Sequence, residues 1–250
     1  MSIFEKDDSM NRSVNLCLSM CEQLYKIKSH NLTVLFSDDI MHDRLQYQNE
    51  KVELSEEPEG LYVPGENGAI FINYPNYIKN PPATLITIVH ELIHYFDSML
   101  FVNDFCDGNW DNFENHEIYK TFRLWSEFHA AYRSLLLGRE IYAYAMPEYY
   151  SKEDIIEEFQ DFTKINNYKN YIESFDVVDY YHLFRYCAEV MLCIGMNNQI
   201  TLDYCITNKL VKDFPAFKEL FYDLLKMTTY KEAKEHLDLM HWKLFKHFEY

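Results

Sequence analysis

The chain has 250 residues, of which 40 are acidic and 23 basic, for a formal charge of −17. A field of that sign repels phosphate backbones and anionic lipid, which argues against nucleic acid and membrane surfaces as partners. Aromatic residues make up 17% of the chain, almost all of them Tyr and Phe, so it can bury a sizeable core and does not belong to the disordered class.

The opening residues, MSIFEKDDSM, carry acids where a secretory signal would have a basic region and an apolar run. The longest apolar stretches are interrupted by His90, Glu91, His94 and Asp97, or by Arg185 and Glu189, so no membrane span is expected. Six cysteines form no C-x-x-C pair, and most fall on apolar helical faces. They read as reduced core thiols of a cytoplasmic protein.

Taken in order, Met10 to Ile27 shows a helical pattern, with Val14, Cys17, Leu18, Cys21 and Leu24 on one face. Cys17 and Cys21 have the spacing of helical metal ligands but are better read as core thiols. Leu32 to Phe36 is a short strand. Leu61 to Val63 and Ala69 to Tyr74 flank the turn Pro64-Gly65-Glu66-Asn67-Gly68 and form a hairpin. The second arm contains Ile70, Phe71, Ile72 and Asn73, and an exposed edge there would pair with an extended peptide substrate through backbone hydrogen bonds. An ordinary sheet edge is the plainer alternative.

Asn80-Pro81-Pro82 is a helix start, because Asn suits the N-cap and Pro the first helical position. The helix that follows, Thr84 to Leu100, is apolar nearly all round, as expected of a buried one, yet carries His90, Glu91 and His94 in the spacing H-E-x-x-H. Residues four apart share a helix face about 6 Å apart along the axis, so both imidazoles can reach one metal ion. Glu91 sits roughly 100° round from His90, off the metal axis but within reach of a water beside the ion. Two His and a Glu are costly to bury without partners. A metal supplies them; so, in the plainer reading, do hydrogen bonds within a core helix.

The polar stretch NDFCDGNWDNFENHE fails the EF-hand spacing, because Gly108 is four residues after Asp104 and the terminal Glu is misplaced, so it reads as a loop bordering the site. Ile118 to Leu137 is a second long helix carrying Glu127, with Ala130 and Ala131 on the same face. Small residues there permit the close helix approach that Glu127 needs to reach a metal held by another helix.

Beyond Gly138 the pattern is helical, over Val177 to Ile194, Phe217 to Leu225 and a stripe of Ala233, Leu237, Met240, Leu244 and Phe248. Ser151 to Asp154 and Thr229 to Glu232 fit capping boxes. His236, His241 and His247 do not share a face and read as surface or packing residues.

Four residues compete to be the third ligand: Asp97, His116, Glu117 and Glu127. Asp97 is about 7.5 Å along the axis from the midpoint of the two His, beyond the reach of its short arm, so it is better cast as orienting a ligand or tying down a neighbouring helix. The metzincin pattern fails, since positions 97 and 100 hold Asp and Leu where it needs Gly and His. His116 and Glu117 remain open, and Glu127 fits best. A closed structural zinc site would need a fourth protein ligand, and no Cys is placed to supply one near His90 or His94.

HELIH followed by Glu127 on a second helix resembles the gluzincin arrangement, in which two His and a Glu hold zinc. More narrowly, HELIHYFD followed by SEFHAA resembles the mitochondrial metallopeptidases of ATP-synthase assembly, although the gap from His94 to Glu127, 33 residues, is longer here. The order of a Gly-containing hairpin, AIFIN, a linker and the motif helix also resembles the ImmA/IrrE-like metallopeptidases of bacteria and their mobile elements. Both likenesses cover about residues 60 to 135, and the last 110 residues match neither.

The resemblance implies one zinc ion per chain held by His90, His94 and Glu127, with Glu91 as the catalytic base in peptide-bond hydrolysis. No oxyanion stabiliser carries over, which leaves His129, Tyr132 and Tyr95 as neighbours in sequence that could serve. The expected fold is α+β: a zincin-like core with a small N-terminal sheet over residues 1–138, and a helical region over 139–250. The competing expectation is a catalytically silent zincin-fold regulatory protein that binds a partner through its aromatic-rich helices.

Overall fold

A computed structural model of the protein describes residues 8–47, 58–145, 180–196 and 217–247. The fold is mixed α+β, mostly helical, with one three-stranded sheet. Its described residues form two compact units, one built from the chain up to Phe113 with Arg133 onward of a long helix, the other from Glu114–Tyr132 of that helix with the later helices.

The first unit begins with α1, Asp8–Tyr25, which buries Val14, Cys17 and Cys21. Strand β1, Thr33–Ser37, is followed by α2, Ile40–Asp43, where the Asp39 side chain caps by accepting from the His42 amide at 2.9 Å. The hairpin has β2 at Gly60–Val63 and β3 at Ala69–Asn73, paired antiparallel. Next come α3, Tyr74–Lys79, and α4, Pro81–Phe105.

Sheet order is β1-β3-β2, with β1 parallel to β3. This corrects the expected open edge at Ile70, Phe71, Ile72 and Asn73. Residues 69–72 are fully buried, and β3 is the middle strand with hydrogen-bonded neighbours on both sides. An incoming peptide finds no unpaired backbone there. Asn73 has a different task, since its Oδ1 accepts from the Asn76 amide at 3.0 Å, closing the strand and capping α3.

Helix α4 starts as its sequence requires: Asn80 caps it by accepting from the Ala83 amide, and Pro occupies the first turn. It packs on α1, β2, β3 and α3. It also passes the expected end, since the polar Asn103-Asp104 turn stays helical to Phe105. Contrary to expectation, the segment Ala83–Phe105 is long and apolar enough to cross a membrane by length and composition. Two-thirds of its most apolar window is buried inside the fold, so the apolar surface serves the core.

Helix α5, Tyr119–Ala145, runs through Gly138 without a break. A Cβ at Gly138 would lie 2.9 Å from Ile86 Cγ1, so glycine there allows α5 to approach α4 closely.

In the second unit the described helices are the first part of α5, α6 at Tyr180–Met196, α7 at Phe217–Leu224, α8 at Tyr230–Lys234 and α9 at Leu237–His247. Trp125 anchors it: fully buried, it donates from Nε1 to the Met227 carbonyl at 2.8 Å and meets Tyr230 edge-on. The capping box at Thr229 and Glu232 forms with both reciprocal bonds. Ala233, Leu237, Met240 and Leu244 are buried as one stripe. The Ser151 to Asp154 box, residues 177–179 and Phe248 lie outside the described residues.

Candidate metal centre

Helix periodicity alone brings His90 and His94 together on α4. Their Nε2 atoms lie 3.1 Å apart, and the rings meet edge to face with centroids 4.7 Å apart. A tetrahedral zinc with Zn–N bonds of about 2.0–2.1 Å requires its ligand nitrogens to be roughly 3.3 Å apart. The observed spacing is close to that edge, and it is equally the length of a hydrogen bond from one Nε2–H to the other Nε2.

Glu127 on α5 is the third member of the group. One ligand atom from each of His90, His94 and Glu127 lies within 4.8 Å of the others, and this is the group among the described residues that could hold a metal ion. Both His are half-buried, whereas Glu127 is 1% exposed. Two imidazoles and a carboxylate, with no thiol, are a donor set that first-row divalent ions such as zinc or iron(II) accept, and a four-coordinate ion held by these three would keep one position for water or substrate.

Glu91 follows His90 on the same helix and is 8% exposed. The strand opposite it begins at Gly60, and a Cβ built there would lie 3.0 Å from Glu91 Cγ, 3.2 Å from its Oε1 and 2.6 Å from Thr87 Cγ2. Glycine thus lets the backbone of β2 press directly on the Glu91 side chain. The signal for Gly60 in the sequence is a glycine beside a strand, a position where neighbouring groups often approach the backbone closely.

Asp97 takes no part in the three-residue group. It is fully buried, and its Oδ1 accepts from the Tyr25 hydroxyl at 2.7 Å, which ties α1 to α4. Tyr25 also stacks on Phe96 at 4.9 Å. Burial, reinforced by the Asp97 charge, holds the Tyr25 hydroxyl well above its ordinary pKa, so it stays a donor.

Other candidates are placed elsewhere. His116 turns back on its own loop, its Nδ1 facing the Ile118 amide at 3.4 Å, and Glu117 is exposed. His129 is buried and stacks on Trp125 at 4.8 Å, while Tyr132 stacks on Phe128 at 6.0 Å. Tyr95 donates to the His30 carbonyl and accepts from the His30 amide, both at 2.8 Å, clamping that loop to α4.

No family model, curated protein or solved structure matches the chain. The zincin likeness therefore rests on the H-E-x-x-H spacing and on the group that His90 and His94 form with Glu127.

Proposed function

We propose that the protein is a zinc-dependent metallopeptidase with a zincin-like core. The observation that carries this reading is the 3.1 Å separation of the His90 and His94 Nε2 atoms, with a Glu127 ligand atom in the same group. His90 and His94 would hold the ion through neutral imidazoles and Glu127 through its carboxylate. When bound, zinc would polarise the scissile carbonyl and make a neighbouring water acidic enough to act near neutral pH.

The chain's own groups supply the rest. Glu91, on the face of α4 against which β2 presses, takes the proton from the attacking water on a carboxylate oxygen and passes it to the leaving amine. Its low exposure limits the water that could compete for that proton. Among the described residues β2 pairs on one side only, with β3. Its other edge is the one an extended substrate would use, in place of the buried β3.

The test is elemental analysis of purified protein beside a His94→Ala variant, with hydrolysis of a peptide library measured with and without chelator. One zinc per chain, lost in the variant, together with chelator-sensitive cleavage is the expected result. Zinc without cleavage by any fraction would instead favour a silent, partner-binding protein, and absence of zinc would defeat the reading altogether.

A further inference from the structure

Along α4, Thr87, Glu91, Tyr95 and Met99 recur every fourth residue and so form one continuous ridge. Its first half meets Gly60 at the start of β2, and Tyr95 meets the far end of the hairpin, 3.5 Å from a Cβ built on Gly68. Strand β2 therefore runs beside this ridge from Glu91 towards Met99. Four residue steps of extended chain, from Gly60 to Pro64, cover roughly 13 Å. Eight residue steps of helix, from Glu91 to Met99, cover about 12 Å.

A cavity of about 650 Å³ opens at that far end. Tyr95 and Met99 belong to its lining, Pro64 and Glu66 come from the hairpin turn, and Trp110 and Asp111 come from the loop after α4. The walls are held in place. Tyr95 bonds both backbone groups of His30, the Gly108 amide bonds the Val102 carbonyl at 3.0 Å, and Trp110 rests edge-on against buried Phe113. Among the described residues two carboxylates line the cavity and no lysine or arginine does.

We propose that this cavity is a subsite for a cationic side chain, Lys or Arg, of a peptide lying along the outer edge of β2. The aliphatic stem would pack on Met99 and Pro64, the charged head would meet the Trp110 face, and Glu66 and Asp111 would attract it. The spacing sets its position: a residue held here is about four residues from the peptide bond presented to Glu91. An anionic side chain at that position would be repelled by both carboxylates and by the net charge of the whole chain. The inference rests on the peptidase reading for its register, but the binding event itself does not need hydrolysis.

The experiment therefore reads binding. The full chain carrying Glu91→Gln is titrated by calorimetry with a blocked hexapeptide containing one Arg, and with the same peptide carrying Gln or Glu in its place. The Arg peptide should bind about tenfold tighter than the Gln peptide, and the Glu peptide more weakly still. The preference should shrink to near unity in Glu66→Gln/Asp111→Asn on the same background, and should fall as salt is raised. Equal affinity for the Arg and Gln peptides, no binding of either, or a preference that survives the double substitution would each overturn the proposal. Failure of the peptidase reading gives a different pattern, since the parent would then cleave nothing while the Arg preference in binding persisted.

Discussion

Gly60 and Glu91 are in such close contact that no side chain fits between them: a methyl group on residue 60 would come within 3.2 Å of the Glu91 carboxylate. The backbone of β2 at that point thereby limits the space open to the proposed catalytic base. Gly60→Ala should shift Thr87 and Glu91 and cost about 1–3 kcal/mol of stability. On the proposed function turnover should fall by at least tenfold while zinc content is kept, because none of the proposed ligands, His90, His94 and Glu127, is among the atoms that the methyl would meet. Parent-like kinetics in the alanine variant would show that Glu91 position is not critical.

Glu91→Gln preserves the side-chain shape and removes the proton acceptor. Zinc should remain at one per chain, and peptide hydrolysis should fall by on the order of 10²–10⁴, the usual contribution of a positioned acid–base group. Turnover unchanged from the parent would assign the proton transfer to another residue.

Tyr25→Phe deletes the bond between α1 and the buried Asp97 carboxylate while keeping the ring that stacks on Phe96. Hydrogen bonds to charged groups are worth about 1.5–3 kcal/mol, so a loss of that size is expected in chemical denaturation. An effect within error would mean that α1 is held by packing alone.

Glu189 on α6 predicts a pH signature. Burial raises its pKa from 4.5 to about 7, with Arg185 Nε 3.9 Å from its carboxylate. The folded pKa lies above the unfolded one, so the favourable contribution is complete below about pH 4.5 and is lost as pH rises to about 7. The parent should lose up to roughly 3 kcal/mol across that window from this group. Glu189→Gln should not show that loss. The same slope in the Gln variant, measured by urea unfolding at several pH values, would place its origin elsewhere.

Gly138→Ala would ordinarily strengthen a helix by about 1 kcal/mol. Here the new methyl would lie 2.9 Å from Ile86 Cγ1, an atom near the root of its side chain, so the sign should reverse and the melting temperature should fall. A rise would show that α4 and α5 can separate without cost.

Features written in neighbouring residues were legible from the sequence. The Asn80 cap, the His90–His94 pair on one helical face and the Thr229–Glu232 box depend on contacts within one or two turns, and each formed. Features set by distant residues were not legible. That β3 lies in the middle depends on β1, some 35 residues earlier and parallel to it, and a hairpin pattern carries no trace of that partner. The strand pattern runs on through Tyr74, yet the chain turns helical there, with Asn73 as the cap and Pro75 in the first turn of α3. Gly138 looked like a helix end because glycine often is one, whereas its role is to admit Ile86. Glu127 was found because small residues share its face, a clue to proximity that periodicity alone would miss.

The thiols of Cys17 and Cys21, set on the inner face of α1 where it packs on α4, give the molecule an internal clock. Burial pushes Cys17 up to about 12 and Cys21 higher still, leaving almost no reactive thiolate at neutral pH while the helix stays docked. Alkylation of either sulfur therefore counts the moments when α1 lifts away, and its rate, followed by mass spectrometry with and without added zinc, reports whether the ion steadies the packing of α1 on the helix that carries the imidazoles.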